Sequence, residues 1–176
     1  MTSIALQQVS SRFARRNAAK TLEHPIALRY VEGFLDTGDM DAIRTAGSES
    51  GVYVWGAKLE RVHQAGKVLE KRCLVLFRRG PTVYKCGVFV HWTINVPLAA
   101  YLWGFDSDNE TWGWIWFFKR IWDLSLSASE VNRCIGYESE NHWQGLVGVR
   151  GEGANEVIRR VKRNLGLEAN DGDRNK

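Results

Sequence analysis

Flat aromatic rings crowd one stretch of the sequence, YLWGFDSDNETWGWIWFF at residues 101–118. Trp103 stands on one shoulder of an acidic loop at 106–111, and Trp112, Trp114 and Trp116 stand on the other. Indole offers more stacking area than any other side chain, so two of them flanking a loop can wall a pocket for a flat ligand. They can equally be the core of a strand and its turn. The two-residue period of a strand puts Trp112, Trp114, Trp116 and Phe118 on one face and Ile115 and Phe117 on the other. A strand apolar on both faces is sandwiched, which assigns Trp114, Trp116 and Trp122 to the core. Trp103 and Trp112, beside the loop, are the candidates for a ligand cage.

Catalytic chemistry has little to work with. There is no phosphate-binding G-x-x-x-x-G-K-[ST], no G-x-S-x-G elbow and no H-E-x-x-H. Gly151-Glu152-Gly153 lacks the third glycine of a dinucleotide loop and reads as a helix entry. The histidines (His24, His63, His91 and His142) are scattered, and only His91, beside Trp92 at a strand end, is a candidate. Asp106, Asp108 and Glu110 form a carboxylate cluster without a nearby His or Cys, so neither a metal nor a cofactor is expected.

Charge points towards a polyanion. The chain carries 24 Lys and Arg against 20 Asp and Glu. Residues 57–85 hold eight Lys or Arg against two acids, whereas 86–118 hold none against three. Arg61, Lys67, Lys71, Arg72, Arg78, Arg79 and Lys85 form a basic strip able to track phosphates. Aromatic planes beside it would stack on a base, at roughly 1–3 kcal/mol each. Cys73, Cys86 and Cys134 suggest neither a disulfide framework nor a zinc site, so a reducing, intracellular setting is expected. No apolar run approaches the roughly 18 residues of a membrane span.

The elements that must position these residues follow in order. Residues 1–21 carry Arg12, Arg15, Arg16 and Lys20 and no acid, which reads as a basic arm or an organellar transit peptide. Pro25 opens a helix with Ile26, Tyr30, Val31, Phe34 and Leu35 at helical spacing, followed by a short helix at 39–45 and a loop at 46–51. Strands are expected at 51–57, 73–77, 83–92 (with Gly87 inside), 111–118 and 122–126. Residues 58–71 form an excursion and 98–103 a helical turn. Ser127 and Glu130 make a capping box for a helix that Gly136 stops. Residues 143–153 read as a loop, 157–165 as a final helix and 168–176 as a polar tail. The class is α+β, a mixed sheet or small barrel flanked by helices.

The order of these pieces resembles a known group. Val52-Tyr-Val-Trp-Gly56, Val75-Leu-Phe77, the 84–89 strand with Gly87, Leu102-Trp-Gly104, the 111–118 strand, Ile135-Gly-Tyr137 and Gln144-Gly145 are similar to EVE/YTH domains of the PUA-like superfamily. The nearest similarity is to the specificity domains of McrB-type, modification-dependent (type IV) restriction systems. The resemblance implies one small twisted barrel with flanking helices over 22–167, and a pocket for a flipped or single-stranded modified base. Leu102-Trp103 and Trp112 match two walls of the aromatic cage in YTH proteins. A third wall comes there from a tryptophan between the first two strands. This chain has none between Ala57 and Trp92, and Trp55 is the nearest substitute. Methyladenine, methylcytosine and bulkier cytosine derivatives all stay open.

Three functions follow as expectations. The first is a non-enzymatic reader of a modified base, most simply in DNA and in a restriction context with a motor or nuclease partner. Trp55, Trp103 and Trp112 would sandwich the base, backbone groups at Gly56 and Ala57 would bond its edge, and Tyr84, His91 and Asp106 complete the base-binding candidates. The second is an RNA reader, organellar if residues 1–21 are a targeting signal. The third is a modified-nucleoside hydrolase of the related ASCH group, which would need a buried Lys near a Glu in the pocket.

Overall fold

The computed structural model describes residues 3–45, 51–62, 67, 69 and 72–167. In chain order the elements are β1 (Ser3–Gln8), α1 (Arg12–Thr21), two 3-10 turns (Leu28–Tyr30 and Glu32–Phe34), α2 (Thr37–Thr45), β2 (Tyr53–Ala57), β3 (Leu74–Arg79) and β4 (Thr82–Ile94). There follow α3 (Val96–Trp103), β5 (Trp114–Ser127), α4 (Ala128–Cys134), β6 (Leu146–Arg150) and α5 (Glu152–Asn164). The six strands form one sheet in the order β2-β5-β4-β3-β1-β6. Among the described strands only β1 and β3 run parallel; the other pairings are antiparallel. Of the two expected shapes the mixed sheet is the one found. It is open, with β2 and β6 as opposite edges.

β5 shows why the aromatic run folds as it does. Trp114, Trp116 and Phe118 enter one cluster, with Trp55 and Phe77, while Ile115 and Phe117 enter another on the opposite face, and all are fully buried. Burying each such side chain contributes roughly 1.5–3 kcal/mol. The strands expected separately at 111–118 and 122–126 are one strand, which pairs with β4 through three register shifts. One shift lies at Gly87, where a β-carbon would collide with Ile121 and Phe118. Bulges of this kind bend a long strand without ending it.

Residues 3–21, within the stretch read as a basic arm, are part of the sheet and its cover. β1 lies between β3 and β6, with Leu6 opposite Leu76 and Val147, and Ile4, Ala5 and Leu6 are fully buried. The basic residues belong to α1, which Ser11 caps by accepting the Ala14 N–H at 3.0 Å. Its inner face is Ala14, Asn17, Ala18 and Thr21, and its arginines point outward.

Two further expectations are corrected. The glycine-rich stretch at 143–153 contains β6, whose Val147 and Val149 pack inward while Gly145 (φ 72°) and Gly151 (φ 81°) turn the chain at its ends. The helix expected from Pro25 is two 3-10 turns. Ile26 is held extended by paired backbone hydrogen bonds to Val52 (2.8 and 2.9 Å), which stops a helix from starting there. The other expected helices are present, and Ser127 caps α4 as its motif indicates. The loop at 46–50 and the tail at 168–176 lie outside the described residues. No described helix is long and apolar enough to cross a membrane.

Candidate nucleic-acid interface

Several chain ends converge at one place. β1 runs out at Gln7 and Gln8, Ser10 and Ser11 lead into α1, β2 ends at Gly56 and Ala57, Trp112 precedes β5, and Gly145 and Leu146 open β6. Together with Ala14, Lys58, Glu60 and Arg61 they enclose a cavity of about 200 Å³. β2 is an edge strand paired with β5 alone, so half of its backbone N–H and C=O groups point away from the sheet.

The three expected cage tryptophans are adjacent but not equivalent. Trp112 lines the cavity and is half-buried, with Trp55 at 4.9 Å, Phe13 at 5.2 Å and Trp103 at 5.7 Å packed edge-to-face around it. Trp55 and Trp103 are 0% and 1% exposed, so their faces are taken up by protein. Trp103 donates from Nε1 to Thr21 Oγ1 at 3.2 Å and packs against Gly56. Trp55 and Trp103 therefore back and orient Trp112; the expected three-sided sandwich is replaced by one ring at the cavity with two behind it.

Lys58, which the sequence offered only as one charge among many, sits on the cavity rim. Its ammonium pairs with Asp106 at 3.1 Å, with Asp108 at 3.9 Å and with Glu110. Asp106 accepts amide N–H groups from Asp108 (2.9 Å) and Glu110 (3.0 Å), which folds the acidic loop on itself. The Glu110 amide, with Lys58 and the Asp108 amide, holds the Asp106 carboxyl below the usual range against the cost of desolvation. The Glu110 and Asp106 carboxylates raise the Lys58 pKa, which keeps it an ammonium. Asp106 thus organises the loop, and it is not among the residues lining the cavity.

No protein-family model and no curated protein matches the sequence. Among solved structures, the N-terminal domain of Thermococcus gammatolerans McrB bound to m5C DNA matches with a TM-score of 0.70. The match covers 92% of this chain and 98% of that one, at 19% sequence identity. The chain has the fold of an McrB N-terminal domain. At that identity the likeness speaks for the fold.

On this McrB-type fold the other expected site residues disperse. Arg61 lines the cavity. Arg78 is buried, donating from Nε to the Gly80 carbonyl (2.7 Å) and from Nη1 to the Asn141 carbonyl (2.5 Å), and burial lowers its pKa. Lys85 is buried and pairs with Asp123 at 2.5 Å. Arg79 pairs with Glu23 at 3.7 Å and lies over the Tyr84 ring at 4.4 Å. Burial pushes the Tyr84 hydroxyl up to about 12. Lys67 and Arg72 line two other hollows, and Lys71 lies outside the described residues. His91 Nε2 lies 2.6 Å from Asp39 Oδ1, joining β4 to α2, and its ring stacks on Phe117, away from the Trp55 face. Arg78, Arg79, Lys85, Tyr84 and His91 are thus engaged within the fold, and neither the strip nor the base set survives as one surface.

Gln7, Gln8, Ser10 and Ser11 line the cavity without having been singled out. Their signal was present: a serine cap before Ala14, Ala18 and Thr21 at helical spacing marks the start of α1.

Proposed function

We propose that this chain is a non-catalytic module that reads a modified base in DNA, a modified cytosine being the first candidate. The base, flipped from a duplex or supplied by a single strand, enters the cavity between Gly56, Ala57 and Trp112. The observation that carries this reading is the cavity itself, which one supported indole lines and which polar groups border. Its volume of about 200 Å³ lies below the roughly 300–1,000 Å³ of drug-sized ligand pockets, which suits a single ring system.

The chemistry follows from the lining. A base stacked on Trp112 gains roughly 1–3 kcal/mol. The carboxamides of Gln7 and Gln8 and the outward backbone groups of β2 offer donors and acceptors for a base edge. A methyl group in contact with the cavity wall adds about 0.8 kcal/mol per buried carbon, enough to prefer the modified base. Arg61 at the mouth offers a guanidinium to a phosphate, whereas Lys58 is taken up by its carboxylates. The likeness to a domain solved with m5C DNA supports the same reading. A restriction role would add a motor or nuclease partner that acts on the DNA this module selects.

The hydrolase alternative needs a lysine able to act as base or nucleophile near a glutamate. Lys58 and Glu60 both line the cavity, but Lys58 is clamped by carboxylates that keep it protonated. That favours the reader. The test is equilibrium binding to matched DNA and RNA oligonucleotides, single- and double-stranded, with plain cytosine, methylcytosine, hydroxymethylcytosine or N6-methyladenine at one position. Preference for a modified cytosine in DNA is expected; equal affinity across the panel contradicts the proposal.

A further inference from the structure

We propose that α1 and the loop after α3 form a second subsite, which takes the nucleotide next to the base in the cavity. Its phosphate lies on Arg12 and its base on the ring of Phe105, with Arg15 adding positive charge from the next turn of α1. This rests on the base reading above and extends it from one nucleotide to two.

An open groove of about 600 Å³ is lined by Arg12, Phe13, Arg16, Phe105, Asp106 and Ser107. It adjoins the cavity at two points. Phe13, in the groove, packs edge-to-face at 5.2 Å on Trp112, which lines the cavity. Lys58, in the cavity, pairs at 3.1 Å with Asp106, which lines the groove. One ring contact and one lysine–carboxylate clamp therefore separate the two spaces, which neighbouring nucleotides of one strand would occupy in turn.

The groove has the chemistry of a nucleotide. Phe105 is 52% exposed, an aromatic face left to solvent in an otherwise polar loop. Arg12, Arg15 and Arg16 follow the i, i+3, i+4 spacing that puts them on one side of α1, and no acidic residue precedes Glu23. Arg16 is held in place, donating to the Trp103 carbonyl at 3.1 Å and lying over the Phe13 ring at 4.9 Å. Arg12 and Arg15 are exposed and have no ion-pair partner among the described residues. The Asp106 carboxylate in the groove is already engaged by Lys58 and two amides, so among the groove's described lining residues Arg12 is the charge left without a partner. Phosphate on the arginines and a base on the phenyl ring satisfy both features at once.

The test uses the whole chain, with binding followed by fluorescence anisotropy on plain and modified single-stranded oligonucleotides over a range of salt. Replacing both Arg12→Ala and Arg15→Ala should weaken plain and modified oligonucleotides by the same factor. It should also flatten the slope of log affinity against log salt by about 0.7 for each phosphate no longer neutralised. Phe105→Ala should weaken binding about fivefold or more, yet leave the affinity for a lone modified nucleoside unchanged. All three side chains are exposed, so circular dichroism should stay that of the unaltered protein. Unchanged affinity and salt slope in both variants would overturn the subsite. Equal binding of plain and modified strands by the unaltered protein, with the variants still weakened as expected, would sink the base reading while this inference stands. Failure of the unaltered protein to bind any strand would end both.

Discussion

Trp103 packs on Gly56 so closely that a β-carbon at residue 56 would lie 2.9 Å from its ring, and 2.8 Å from the Trp114 carbonyl oxygen. The contact locks α3 to the end of β2 and places the indole behind Trp112. Gly56→Ala should therefore overpack the site and lower stability by about 1–3 kcal/mol, read as a reduced midpoint in urea denaturation. An unchanged midpoint would mean that this contact does not hold α3 in place.

The acidic loop should respond to pH through Asp106. Its carboxyl titrates below the usual range in the folded chain, so its stabilising contribution is complete above that range and is lost as pH falls through the lowered value. NMR titration of the side-chain carboxyls should show Asp106 with a depressed midpoint. Lys58→Met should move the midpoint up without restoring the ordinary value, because the Glu110 amide is the larger cause. Identical midpoints in the two proteins would show that Lys58 does not clamp the loop.

Asn132 is the polar hinge of the second core. Buried on the inner face of α4, it accepts the Trp143 Nε1–H at 2.8 Å and donates to the carbonyls of Ser139 (3.0 Å) and Asn141 (2.9 Å). Asn132→Ala strands these groups, each at about 1–3 kcal/mol if left unsatisfied. Chemical denaturation should show a loss of at least about 2 kcal/mol. A smaller loss would place the anchoring of residues 139–143 elsewhere.

Much of the fold was legible where the signal is local. The unbroken apolar run from Trp114 to Phe118 announced a strand buried on both faces, and Ser127 with Glu130 announced a helix start. β1 was hidden because its partners are β3, some 70 residues on, and β6, farther still; a parallel pairing leaves no turn in the sequence to mark it. Beside it, four basic residues suggested an arm, although Ile4 and Leu6 already carried the strand. The candidate site divides the same way. Gly56, Ala57, Trp112 and Arg61 were named from sequence and meet at the cavity, whereas Gln7, Ser11 and Gly145 reach it from distant chain ends. Composition could not separate Arg78 and Lys85, which Asn141 and Asp123 hold inside the fold, from arginines that face solvent.

The central claim is that Trp112 reads the modification, and the most direct measurement is the ratio of affinities for modified and plain DNA. Trp112→Ala and Trp112→Phe would be compared with the unaltered chain, each checked for folding by circular dichroism. The unaltered chain should prefer the modified base. The alanine variant should bring the ratio close to one while keeping salt-sensitive binding to plain DNA, and the phenylalanine variant should recover part of the preference. An unchanged ratio in the alanine variant, or an equal loss of affinity for both DNAs, would contradict the account.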